Sequence, residues 1–175
     1  MTTNPPVEFF AVEGKSQTVL RRTFAASIET VFDAWTVPAV LQRWWGPLDY
    51  TVRECRLQLR EGGPYRIVME SSDARRYPMV GTVHDVRSPH GFTMIVNLDE
   101  HPADWIEHFR PKGTPLEGVT VEWSYEVTFH ELVRATTVEV LASYPVSRDR
   151  DVVIERGGPQ GWSQSFWKLD ALLAR

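Results

Sequence analysis

The sequence predicts an α+β fold in which one antiparallel sheet of about seven strands packs on a long C-terminal helix, with two short helices after the first strand. Three observations carry this. Apolar and polar residues alternate at period two through most of the stretch 50–141, the spacing of strands with one buried face. Helical spacing is concentrated at the two ends, in 28–45 and 147–173, so helices and strands are largely segregated rather than alternating as in a parallel α/β sheet. The strand connections are mostly short and rich in turn residues, which favours hairpins over crossovers. A chain of 175 residues suits one domain and buries roughly 70% of its extended surface, enough for a core without disulfides or metal.

Residues 1–16 contain Pro5, Pro6 and Gly14 and no sustained period, so they read as a tail that tolerates truncation, and the domain proper as 17–175. Next, Val19, Arg21 and Thr23 alternate with Leu20, Arg22 and Phe24, an early strand with one partly polar face. Ser27 offers an N-cap to a helix on which Ile28, Val31, Phe32 and Trp35 recur at i, i+3, i+4 and i+7. Pro38 suits the first turn of a second short helix, running to Trp45 and ended by Gly46 and Pro47. A strand over 50–59 then stops at Gly62-Gly63, and three more carry Tyr65, Ile67 and Met69; Met79, Gly81 and Val83; and Phe92, Met94 and Val96. The cleanest alternation sets Val119, Val121, Trp123, Tyr125, Val127 and Phe129 against Thr120, Glu122, Ser124, Glu126 and Thr128, and a last strand spans 134–141. Residues 147–155 form a first helical piece broken at Gly157-Gly158-Pro159, after which Trp162, Phe166, Leu169, Leu172 and Leu173 share one helix face. That stripe must be buried, and its only large partner is the inner face of the sheet. Residues 97–118 make a long connection whose 103–109 core has helical character; it fits either a lid or an insertion packing Trp105 and Phe109 on the sheet edge.

Nineteen Lys and Arg against 23 Asp and Glu give a net charge of -4, which provides no electrostatic footprint for nucleic acid. Cys55 is the one cysteine, so an intramolecular disulfide and a multi-Cys zinc site are excluded and a reducing cytoplasm is the expected compartment. No basic start with an apolar run, and no stretch approaching the ~18 apolar residues of a membrane span, is present. Neither a Gly-x-Ser-x-Gly elbow nor a glycine-rich nucleotide loop occurs, so no cofactor is expected. His101, Asp104 and His108 stand at i, i+3 and i+7, a spacing that brings ligands together on a helix, but Pro102 interrupts the segment. We read all three as exposed and expect no metal.

Three motifs resemble the family named for the C-terminal domain of the activator of the Hsp90 ATPase: Arg22-Thr-Phe-Ala-Ala with Val31-Phe32-Asp-Ala-Trp35; Leu41-Gln-Arg-Trp44-Trp45-Gly46-Pro47; and Leu59-Arg-Glu-Gly62-Gly63-Pro-Tyr65-Arg66. A fourth is Gly161-Trp162 followed by Leu169 and Leu172. The resemblance runs from about Thr18 to Leu173 and implies a helix-grip fold of the START and Bet v 1-like superfamily, with the sheet curved around the C-terminal helix. In such a fold, large rings with polar tips on inward faces line a cavity. Tyr65, Met69, Met79, Met94 and Trp105 are candidates to line it, as are Trp123, Tyr125, Phe129, Trp162 and Phe166; Trp35, Trp44 and Trp45 are assigned to packing. The resemblance implies a small hydrophobic or aromatic ligand. Dense side-chain filling of the interior is the competing expectation.

Two further readings stay open. A polyketide cyclase-like enzyme needs a buried acid or base, for which Glu54, Arg56, Arg66, Asp85 and Glu122 are the strand-borne candidates. An Hsp90 partner role is suggested by the family name, although only a short Pro-containing tail precedes the fold, where the Hsp90 activators carry an additional domain. Self-association as a homodimer through an edge strand or the long connection is a separate expectation.

Overall fold

The computed structural model describes residues 7–174. Among these, eight strands are present: β1 (Glu8–Ala11), β2 (Gln17–Phe24), β3 (Tyr50–Leu57), β4 (Gly63–Ser71), β5 (Arg76–Arg87), β6 (Gly91–Asn97), β7 (Glu122–Leu132) and β8 (Ala135–Ser143). They form one antiparallel sheet in the order β1-β2-β8-β7-β6-β5-β4-β3. The meander β3 to β8 is thus closed by the early strand β2, which lies beside the last one with Leu20 opposite Val140. The strand beyond the expected seven is β1, inside the stretch read as a tail; it pairs Glu8–Ala11 against Thr18–Arg21. Four residues with two adjacent phenylalanines, Phe9 and Phe10, are too few to display a period, which is why the sequence hid it.

Ser27 caps α1 (Ile28–Thr36), its Oγ accepting from the Thr30 N–H at 3.3 Å, and Ile28, Val31, Phe32 and Trp35 are buried. The second helix is shorter than expected: α2 covers Pro38–Leu41, and the chain then turns so that the Trp44 indole donates to the Ala34 carbonyl at 2.8 Å. The long connection contains α3 (Ala103–Ile106) and a 3-10 turn over Glu107–Phe109. At the C-terminal side, α4 (Ser147–Glu155) and α5 (Gly158–Leu173) are separated by Gly157 at φ +88°. That left-handed backbone breaks the helix at little cost in glycine. Phe166 and Leu169 of α5 are fully buried, Phe166 standing edge-on to Phe24 of β2 at 5.4 Å.

Alternation also put a charge among the inward residues of β2. Arg22 is 3% exposed and is ion-paired with Asp170 of α5, so the helix is fastened to the sheet by a charge pair as well as by its apolar stripe. Burial lowers the Arg22 pKa.

Gly81 marks the tightest approach in the sheet. A Cβ there would lie 1.8 Å from the Ile95 carbonyl oxygen and 3.1 Å from the Tyr65 ring, and Tyr65 in turn donates its hydroxyl to that same carbonyl at 2.8 Å. Gly81→Ala is expected to force β5 and β6 apart and destabilise the protein by about 1–3 kcal/mol, the usual cost of overpacking. Urea denaturation reads this directly, and an unchanged midpoint contradicts it.

Candidate functional site

A cavity of about 360 Å³ opens between one end of the sheet, the long connection and the α4–α5 junction. The strands supply its floor: Met69 of β4, Tyr77 and Met79 of β5, and Trp123 and Tyr125 of β7. Trp105 and Phe109 form the wall from the long connection, with His101 preceding them. Trp162 of α5 faces them, and Trp45 and Tyr50 complete the rim. Ring contacts run around this wall without a break, from Tyr77 to His101 at 5.4 Å, His101 to Trp105 at 4.4 Å, Trp105 to Phe109 at 4.7 Å and Phe109 to Trp123 at 5.9 Å.

Two cations hold the walls by their backbones. Lys168 Nζ donates to the carbonyls of Trp45, Gly46 and Pro47 at 3.3, 2.8 and 3.2 Å. Arg148 of α4 donates to the carbonyls of Phe109, His108 and Arg110 at 2.7, 3.0 and 2.8 Å. The long connection is closed where Leu98 N–H donates to the Val121 carbonyl at 2.9 Å and Val121 N–H to Asp99 Oδ1 at 2.6 Å, and Arg75 is ion-paired with Asp104 on its outer side. It therefore packs as a wall. Trp105 and Phe109 are inside while Asp104 faces solvent.

Of the candidates drawn from the sequence, Met69, Met79, Trp105, Trp123, Tyr125 and Trp162 lie in the cavity wall. Tyr65, Met94, Phe129 and Phe166 do not; all are buried in the core. The reason is α1, which covers the other end of the sheet: Phe129 packs on Phe32 and Trp35 at 5.3 and 6.1 Å, and Tyr65 turns its hydroxyl to the sheet backbone. Trp45, assigned to packing, lines the rim as well as touching Trp35 at 5.8 Å. Tyr50, Tyr77 and Phe109 were missed. Tyr77 had a signal, since it stands two residues before Met79 on the same side of β5.

The strand-borne acid-base candidates lie outside. Arg66 bridges Glu54 and Glu100 on the outer face, and Arg56, Asp85 and Glu122 are exposed. His84 Nδ1 meets Glu61 at 2.7 Å, also away from the cavity. Among the described residues, no group of three His, Cys, Asp or Glu side chains is arranged to hold a metal ion. Burial pushes the Cys55 thiol up to about 11, which keeps it protonated and unreactive at neutral pH. No described helix is long and apolar enough to cross a membrane.

His101 overturns the expectation of exposure. It is 9% exposed, and burial lowers its pKa to about 4, partly offset by a hydrogen bond with the Pro78 carbonyl. The unfolded chain takes up this proton near pH 6.5, whereas the folded chain resists until about pH 4. Stability is therefore fully present above pH 6.5 and falls as pH drops through that window, by on the order of 3 kcal/mol in all. A His101→Asn variant should show a flatter stability profile between pH 6.5 and 4 in denaturant titrations; an unchanged slope contradicts the assignment.

The model of the family described as Activator of Hsp90 ATPase homolog 1-like protein matches residues 25–174. No curated protein matches the chain significantly in sequence. Among solved structures, a Rhodobacter sphaeroides protein is similar with a TM-score of 0.77 and 20% identity, covering 97% of this chain and 98% of that one. A Mycobacterium smegmatis protein gives 0.76 at 20% identity over 97% and 98%, and a Silicibacter pomeroyi protein described as AHSA1 gives 0.67 at 23% over 90% and 97%. These likenesses establish the helix-grip fold, and the family match covers most of the chain. The protein belongs to the Activator of Hsp90 ATPase homolog 1-like family.

Proposed function

We propose that this protein binds a small hydrophobic molecule with an aromatic ring in the cavity between the sheet and α5. The observation that carries the reading is the continuous aromatic wall around a space of about 360 Å³, a size and lining typical of small-molecule sites. The fold is one that commonly binds hydrophobic ligands. Among the described residues no carboxylate lines the cavity, and the ionisable groups that do are tyrosines, His101, His108 and Arg156. A cyclase-like reading is less well supported, because a histidine with a pKa of about 4 is uncharged and a weak base at neutral pH, far from the matched pKa that acid-base catalysis uses.

The test is thermal denaturation against aromatic polyketides, flavonoids, fatty acids and sterols. Binding to the native state at a hundredfold excess over Kd stabilises it by about 2.7 kcal/mol, which for a chain of this size raises Tm by roughly 5–10 °C. A rise confined to the aromatic polyketides and flavonoids is the expected result, and no rise with either aromatic class overturns the reading. Trp105→Ala should weaken binding about tenfold, the effect of removing an aromatic anchor, without unfolding the domain, since Trp105 is only half-buried.

A further inference from the structure

We propose that His101 selects among aromatic ligands, its Nδ1 accepting a hydrogen bond from a hydroxyl carried by the bound ring. The inference rests on the cavity reading above and adds the chemistry that the cavity reads. His101 lines the cavity, and its ring is held between Tyr77 at 5.4 Å and Trp105 at 4.4 Å. Its two nitrogens have different surroundings. The hydrogen-bonding neighbour of the ring is the Pro78 carbonyl, which can only accept, and with Nδ1 unpartnered the proposal places the ring proton on Nε2. Nδ1 is buried and has no hydrogen-bond partner among the described residues. With the proton on the other nitrogen, Nδ1 presents a bare lone pair, and buried polar atoms are rarely left so.

The ligand chemistry follows from what surrounds this acceptor. An acceptor calls for a donor, and the flanking rings call for a flat apolar body, so the complementary group is an aromatic hydroxyl. A cation is disfavoured because no carboxylate lines the cavity. Nδ1 is covered by its neighbours, and the half-buried Trp105, on the single-turn helix α3, is the ring that yields as the hydroxyl arrives. A site that leaves a polar group unpaired discriminates against ligands that cannot pair with it.

The test is calorimetric titration of the whole chain with 2-naphthol, 2-methoxynaphthalene and naphthalene. The wild type is expected to bind 2-naphthol about tenfold more tightly than 2-methoxynaphthalene, a ratio equal to one hydrogen bond of ordinary strength. His101→Phe should bind naphthalene and lose the preference. His101→Asn, whose amide oxygen is a replacement acceptor near the position of Nδ1, should keep part of it. Equal affinities in the wild type, or a full preference surviving in His101→Phe, overturns the assignment; the wild-type comparison stands even if that variant does not fold. Failure of all three compounds to bind the wild type overturns the cavity reading and this inference together, whereas binding without discrimination overturns this inference alone.

Discussion

Replacing Asp170 with alanine is expected to lower the unfolding free energy by about 3–5 kcal/mol, because it removes a counter-charge from a buried cation. Arg22 is the charge in question. It sits on the inward face of β2 with almost no access to water, ion-paired with Asp170, and its guanidinium stacks 5.5 Å from the centre of the Phe24 ring. Asp170 itself keeps some contact with solvent, its side chain being 27% exposed, which places the effect in the lower half of that range. In thermal unfolding the loss corresponds to a fall of roughly 6–20 °C for a chain of this length. The paired variant Arg22→Met with Asp170→Leu should cost far less, since an apolar pair of similar volume removes both desolvation penalties. A single variant that loses less than the double variant contradicts this account.

The second large effect is at Trp35, which is 1% exposed. Its ring touches Trp44 at 4.9 Å and Trp45 at 5.8 Å on one side, and Phe129 and Phe166 at 6.1 Å on the other. Trp35→Ala should therefore cost about 3–5 kcal/mol, transfer and cavity contributions together. Trp35→Phe should cost much less than the lost volume suggests, because the Trp35 indole N–H has no hydrogen-bond partner among the described residues and phenylalanine removes a donor whose burial costs about 1–3 kcal/mol. The proposed ligand binding is coupled to this site. Trp162 stacks on Trp35 at 6.1 Å and 21°, so the alanine variant should also blunt the ligand-induced rise in Tm by letting that cavity wall tilt. Urea midpoints for the two variants, with and without ligand, separate the effects.

Much of the fold was legible because its elements are strongly periodic. The alternation from Trp123 to Phe129 and the stripe Trp162, Phe166 and Leu169 reappear as β7 and α5. Alternation reports which face of a strand is inward and not which end of the sheet lies under a helix. That is why Phe129, which packs on Phe32 and Trp35 of α1, and Met94, buried in the core, were grouped with Met79 and Trp123, which line the cavity. His101 was misread for a related reason: Pro102 breaks the local pattern, and the residue is buried by Tyr77 and Trp105 from another strand and from the following turn, contacts that no spacing encodes. Arg22 carried a signal of another kind, a charge among inward residues, whose partner lies on the opposite end of the chain.

The pairing of β2 with β8 sets the order in which the protein can be built. Leu20 meets Val140, about 120 residues later in synthesis, and at roughly 5–20 residues per second the emerging chain carries an unpaired β2 edge for about 6–24 s. Arg22 waits longer still, until Asp170 is made. Its uncovered charge keeps one growing face of the nascent chain wetted until α5, synthesised after β1 to β8, neutralises it. A chain stalled before α5 would hold β1 to β8 and still lack both the counter-charge that Asp170 gives Arg22 and the Trp162 wall of the cavity, so competence for the proposed binding arrives only with α5.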